Sequence, residues 1–289
     1  MSSNGSFPIR ADPSMEVLPP DSPIRQIYPE DLFENGSYAP LLHGRVRYWI
    51  IGPEDGMKAC FSPDLASVVL IHGVSTPSVS WKAIGPYLAA KGFRVLIYDL
   101  FGKGYSEAPH MPSDATLFVT QLALLMQYVR WEAAHIVGFS MGGGVAAAFT
   151  ASLPHLVAGK TLLIASAGLI ETGPTPTSVS SKVALLQYQD LPGYKRSLAS
   201  CFTDGPIRGL QSTFDKLDKL LVGPENKDLQ VLVIHGTDDE IVPYEEAHKI
   251  KARIPEAEVI TVEGAGHDLV LRDAHWRIVG DAIVRFLEN

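Results

Sequence analysis

The chain has 289 residues, 46% of them hydrophobic, and its 24 basic against 32 acidic side chains give a net charge of −8. At about 150 residues per domain this length suggests two domains, but α/β folds often run longer as one, and one domain with an insertion is the reading taken here. No stretch concentrates lysine and arginine, so phosphate backbones are repelled rather than gathered and nucleic acid is not an expected partner. Cys60 and Cys201 are the only cysteines and fall in different regions, which indicates neither a disulfide framework nor a cysteine-rich metal site. No apolar run approaches the roughly 20 residues that span a bilayer, and the first 40 residues lack the charged-then-apolar plan of a signal peptide. A cytoplasmic protein with no transmembrane segment is the expectation. Asn4-Gly5-Ser6 and Asn35-Gly36-Ser37 match the glycosylation pattern, but without a secretion signal they read as chance matches.

Residues 1–40 are rich in proline, serine and glycine, with only short apolar pairs such as Val17-Leu18, and read as an extension lying on or off the domain. From about residue 45 the pattern changes. Val46 to Ile51, Val68 to Ile71 and Val95 to Tyr98 read as strands, the last two separated by a helical stretch around Trp81 to Ala90. A helix near Leu117 to Arg130, a strand at His135 to Val137, a helix at Gly143 to Phe149 and a strand at Lys160 to Ala165 follow. Strands at Gln230 to Ile234 and Glu258 to Val262 then alternate with helices at Tyr244 to Arg253 and His275 to Leu287. Such alternation predicts an α/β fold: a mostly parallel central sheet, built from residues 41–167 and 229–289, with helices on both faces.

Between residues 168 and 228 the alternation stops and the segment reads as a small helical cap. Phe214, Leu217, Leu220 and Leu221 recur at helical spacing, and Val179, Val183 and Leu186 give a second stripe. Ordinary packing of a helical layer explains most of these residues one by one. Asp204-Gly205-Pro206 and Val222-Gly223-Pro224 read as turns.

Gly138-Phe139-Ser140-Met141-Gly142 lies between the apolar strand and the small-residue helix. Glycines at both ends let the chain bend sharply and the helix approach the strand, lifting the Ser140 hydroxyl above the sheet edge. A serine hydroxyl is a weak nucleophile at neutral pH, so it needs a general base within reach and a carboxylate to orient that base. His267, in Gly264-Ala265-Gly266-His267-Asp268 just past the last strand, supplies the base. Asp238, Asp239 and Glu240, which follow His235-Gly236 at the end of the penultimate strand, are the candidate acids, and composition alone does not separate them.

Over roughly residues 45–289, most of the cap excluded, the chain resembles the α/β-hydrolase family in its serine-nucleophile branch of carboxylesterases and monoacylglycerol lipases. The resemblance carries the order Ser, Asp, His along the chain. His235-Gly236-Thr237-Asp238-Asp239-Glu240-Ile241-Val242-Pro243 is similar to the family's acid loop, whose catalytic aspartate stands three residues before the valine and four before the proline; this selects Asp239 and leaves Asp238 as a loop carboxylate. His72-Gly73-Val74-Ser75 resembles the loop that supplies one oxyanion-hole amide, so the Val74 N–H is expected to act with the Met141 N–H. The Ser75 hydroxyl either adds a third donor or closes a turn, and the turn is the reading preferred. Asp99-Leu100-Phe101-Gly102-Lys103-Gly104-Tyr105-Ser106 is similar to a structural family segment, with Lys103 where histidine is frequent, and Trp81 matches an aromatic core position.

Serine rather than aspartate at position 140 disfavours the branches that form alkyl esters. The resemblance therefore implies hydrolysis of small or medium apolar esters through an acyl-enzyme, with a small-molecule substrate and no metal or organic cofactor. The cap would set the substrate, with Tyr188, Tyr194, Phe202 and Phe214, besides Ser75, as candidate pocket residues. A carbon–carbon bond hydrolase of diketone-type substrates uses the same three residues and is the alternative enzyme. A ligand-binding receptor module built on the same fold is the alternative from another class. The oligomeric state is not legible in the sequence.

Overall fold

The computed structural model describes residues 10–52, 66–171 and 181–289; Asn4-Gly5-Ser6, Cys60 and Val179 lie outside these residues. The chain starts with a short strand β1 (Ala11–Asp12) and helix α1 (Pro23–Ile27), then a hairpin of β2 (Gly36–Leu41) and β3 (Gly44–Ile51). It continues through β4 (Ser67–Ile71), α2 (Ile84–Ala90), β5 (Arg94–Tyr98), the short β6 (Ala108–Pro109) and α3 (Ala115–Tyr128). β7 (Ala134–Phe139), α4 (Met141–Ser152) and β8 (Val157–Ile164) complete this part. Helices α5 (Lys182–Asp190), α6 (Tyr194–Thr203) and α7 (Gln211–Leu217) and a ribbon of β9 (Leu221–Val222) with β10 (Lys227–Asp228) come next. The last elements are β11 (Gln230–Gly236), α8 (Glu245–Arg253), β12 (Glu258–Val262) and α9 (Trp276–Glu288).

Eight strands form one sheet in the order β12-β11-β8-β7-β4-β5-β3-β2. All pairings are parallel except β2 with β3 and β3 with β5. Parallel strands covered on both faces are apolar without interruption, and β4 reads Ser-Val-Val-Leu-Ile with every residue buried. Its side chains alternate between two cores. Val68 and Leu70 join Val95, Ile97, Leu162 and Ile234 beneath α2 and α9, whereas Val69 and Ile71 join Leu96, Ile136, Leu163 and Val233 beneath α3, α4 and α8.

Residues 10–40, expected as an extension, lie on the domain and fill part of its core. Met15, Ile24 and Tyr28 are fully buried beside Trp49 and Tyr105, and β2 is the sheet's edge strand, so the boundary expected at residue 40 falls inside it. Pro40 is tolerated there because an edge strand leaves one row of its backbone groups unpaired. The segment expected to be a helical cap also differs in part. α7 ends at Leu217, so Leu220 and Leu221 continue no helical stripe; Leu221 starts β9 and is exposed. Among the described residues no helix is long and apolar enough to cross a membrane.

Candidate active site

β4, β7, β11 and β12 all end on one edge of the sheet, and the loops leaving them carry His72, Ser140, Asp239 and His267. Ser140 stands between β7 and α4 with φ 57° and ψ −124°, a conformation that costs a non-glycine residue about 1–3 kcal/mol. Neighbouring backbone holds it there: the Ser140 N–H donates to Ile164 O (2.9 Å), and its carbonyl accepts from Gly143 N–H (2.9 Å) and Ala167 N–H (3.0 Å). As the residue preceding α4, Ser140 does not cap the helix with its side chain, which leaves Oγ for another partner.

That partner is His267, whose Nε2 lies 2.9 Å from Ser140 Oγ, while Nδ1 lies 2.8 Å from Asp239 Oδ2. The network assigns the proton to Nδ1, donated to the carboxylate, and leaves Nε2 to accept from the serine. Ser140 and Asp239 are buried, and the imidazole keeps one edge partly open. Phe139 packs against the His267 ring, with centroids 5.1 Å apart, and Trp81 packs against Phe139 in turn.

Asp239 Oδ1 accepts from the N–H groups of Ile241 (2.9 Å) and Val242 (2.8 Å), so both oxygens are engaged. Burial alone would raise this carboxyl, but His235, His267 and the Val242 N–H together hold it well below the usual carboxylate range. It is an anion at any working pH. Asp238 and Glu240 are exposed, and Asp238 accepts from the Thr237 hydroxyl. Sequence reasoning passed over His235, which is fully buried with Nε2 2.8 Å from Val242 O, bracing the loop that presents Asp239. A histidine before the loop glycine was the visible signal, but nothing in the sequence says which way its ring points.

The oxyanion candidates sit where donors are free to act. The Met141 N–H is the first of α4, one of the four that a helix leaves without an internal acceptor, at the positive end of its dipole. On the other side, a Cβ added to Gly73 would lie 3.2 Å from Ser140 Cβ and 3.5 Å from Oγ, so the backbone leading into Val74 runs directly beside the serine. His72 fixes the start of this loop: Nδ1 donates to Gly73 O (2.7 Å) and Nε2 accepts from Leu100 N–H (2.9 Å). Burial lowers its pKa to about 3, which keeps it neutral and in that tautomer.

The other residues of interest separate into distinct roles. Ser75 is engaged through its carbonyl, which accepts from Tyr194 Oη (2.9 Å) and Gln187 Nε2 (3.1 Å). Tyr194 is accordingly buried and tied to the loop rather than open to a ligand. Phe214, expected at a pocket, is fully buried against Gly168 and the face of α4, so packing accounts for it. Tyr188 is exposed and lies under the Lys195 ammonium. Phe202, like Val74, is half-buried and packs against both cores. Asp99 is buried and structural, accepting from Tyr28 Oη and from the Ser78 and Tyr105 N–H groups. Lys103 is fully buried and donates to Ser197 Oγ (2.8 Å).

Residues 66–203 match the family model of the alpha/beta hydrolase fold, and residues 211–289 match that of TAP-like proteins. A bifunctional esterase/perhydrolase of Acinetobacter calcoaceticus is 24% identical over 73% of this chain and 88% of its own. A 2-hydroxy-6-oxo-2,4-heptadienoate hydrolase of Pseudomonas putida is 25% identical over 69% and 82%. The crystal structure of an enol-lactonase from Burkholderia xenovorans superposes with a TM-score of 0.71 at 20% identity, covering 88% of this chain and all of that one. With its sheet order, its helices on both faces and these two matches, the chain belongs to the α/β-hydrolase superfamily.

Proposed function

We propose that the chain is a serine hydrolase that cleaves carboxylic esters of small to medium apolar substrates through an acyl-enzyme on Ser140. The observation that carries this reading is the unbroken line of hydrogen bonds from Asp239 Oδ2 through His267 to Ser140 Oγ. Ser140 Oγ attacks the ester carbonyl as His267 Nε2 takes its proton, and Asp239 stabilises the imidazolium that forms. The Val74 and Met141 N–H groups receive the negative oxygen of the tetrahedral intermediate, a contribution of about 10²- to 10³-fold in rate for a single donor. His267 then protonates the leaving alcohol, and a water that it activates releases the acid. The helices α5, α6 and α7 are the candidate cap over this site, and the half-buried Phe202 is the aromatic candidate for lining it.

A second reading has support of its own, because a carbon–carbon hydrolase matches about as well as an esterase does. The two separate in one assay: a nitrophenyl ester series from acetyl to palmitoyl beside a vinylogous diketone, with Ser140→Ala as the blank. Ser140-dependent ester turnover with an optimum in chain length supports the esterase. Faster cleavage of the diketone than of a matched ester overturns it in favour of the second reading.

A further inference from the structure

Two side chains from different helices end on one carbonyl. Tyr194 at the start of α6 and Gln187 in α5 both donate to Ser75 O, at 2.9 and 3.1 Å, which uses both lone pairs of that oxygen. Gln187 has no freedom to turn its amide over, because its Oε1 accepts from the Gly104 N–H at 2.7 Å. Both residues are buried. A third tie, between Thr76 Oγ1 and Ser181 Oγ at 3.1 Å, joins the same loop to the residue that caps α5. The loop is thus held at its start by His72, from the core, and at its end by α5 and α6. Val74 lies between the two clamps.

We propose that Tyr194 and Gln187 are positioning residues that hold the Val74 N–H toward Ser140 through the Ser75 carbonyl. The oxyanion site is then complete only while α5 and α6 are seated on the loop, as they are in this structure. The inference rests on the reading of Ser140 as nucleophile and Val74 as oxyanion donor. It assigns the two side chains to chemistry rather than to substrate contact: their loss weakens the transition state and leaves substrate binding in place.

The test compares Tyr194→Phe, Gln187→Met and the double variant with Ser200→Ala on a nitrophenyl ester. Ser200 is on α6 and accepts from the Ser113 N–H (2.8 Å), so its removal deletes a hydrogen bond of the same helix while the ties that seat α5 and α6 on the Ser75 loop stay in place. The expected result is a fall in kcat of about 10-fold for Tyr194→Phe, approaching about 10²-fold in the double variant, the lower bound for losing one oxyanion donor outright. KM is expected to stay within about 2-fold while affinity for a boronic acid, which forms a tetrahedral adduct, falls with kcat. Ser200→Ala is expected to keep wild-type kcat. Equal losses in Ser200→Ala and Tyr194→Phe, or a loss confined to KM, overturn the inference, as does unchanged kcat in the double variant. Wild-type turnover that survives Ser140→Ala overturns the reading of the site itself, and this inference with it.

Discussion

Gly138 and Gly142 meet backbone to backbone: a Cβ on Gly138 would lie 2.1 Å from the Gly142 carbonyl oxygen, and one on Gly142 would lie 2.3 Å from Ile71 O. These atoms are backbone of β4 and of the first turn of α4, where no flexible side chain can give way. Gly138→Ala and Gly142→Ala are each expected to destabilise by at least the 1–3 kcal/mol (about) of an overpacked core, and to lower activity through the displaced Ser140. Urea midpoints check this. A midpoint equal to wild type in either variant contradicts the close packing of the turn.

Asp239→Asn is expected to reduce turnover by about 10⁴-fold with the fold retained, since the amide favours the wrong tautomer of His267. Asp238→Asn is expected to leave turnover within about 2-fold, its carboxylate being exposed and hydrogen-bonded by the neighbouring Thr237 hydroxyl. Steady-state kinetics of the two variants decide the point, and the reverse ranking moves the acid role to Asp238.

Stability is expected to fall on mild acidification. His72 is neutral in the folded chain down to about pH 3, whereas the unfolded chain binds its proton near pH 6.5. Its contribution is therefore present above pH 6.5 and is lost as pH falls from there toward 3, by about 1 kcal/mol per pH unit. Asp239, held low in the folded chain, adds a further loss only once the pH drops below the ordinary carboxylate range. Denaturant midpoints between pH 7 and 5 read this loss together with that of His135, whose pKa burial lowers to about 4, and the His72 variant separates the two. His72→Gln is expected to flatten the slope, and an unchanged slope would show that the proton is taken up elsewhere.

Lys103 is a buried cation whose near neighbours are Ser197 Oγ, the Cys201 thiol and the Tyr194 ring. Burial lowers its pKa, so the unfolded chain holds the proton more tightly and stability rises with pH up to the ordinary lysine range. Replacing a buried charge by an apolar side chain of similar size is often neutral or stabilising. Ser197 keeps other neighbours in Ser113 Oγ and Phe101 O. Lys103→Met is accordingly expected to melt at or above the wild-type temperature at pH 7, with the gap narrowing as pH rises toward the ordinary lysine range. A clear drop in melting temperature at pH 7 contradicts this account.

The sheet was legible in the sequence because parallel strands buried on both faces are apolar without interruption, as Val68 to Ile71 and Val95 to Tyr98 are. Ser140 and His267 stood out as candidates for a different reason, since each follows a strand in a loop whose glycines mark a tight turn, whereas Asp239 was separated from Asp238 and Glu240 only by resemblance to the family's acid loop. The N-terminal packing was not. Met15, Ile24 and Tyr28 enter the core singly, separated by proline and serine, so no periodicity announces them. Nor did spacing orient the helices after β8: Tyr194 and Phe214 resemble pocket residues in sequence, yet one hydrogen-bonds Ser75 and the other fills the space over Gly168. Gln187 carried no signal at all, because the partners of its amide, Ser75 and Gly104, are both far away along the chain.

Covalent capture reads whether His267 activates Ser140. The protein is treated with an alkyl fluorophosphonate, and the intact mass and peptide map are read for wild type, Ser140→Ala and His267→Ala. One adduct per chain is expected, on Ser140, absent from Ser140→Ala and formed far more slowly in His267→Ala. An adduct on another residue, or labelling of Ser140 at an unchanged rate without His267, would contradict it.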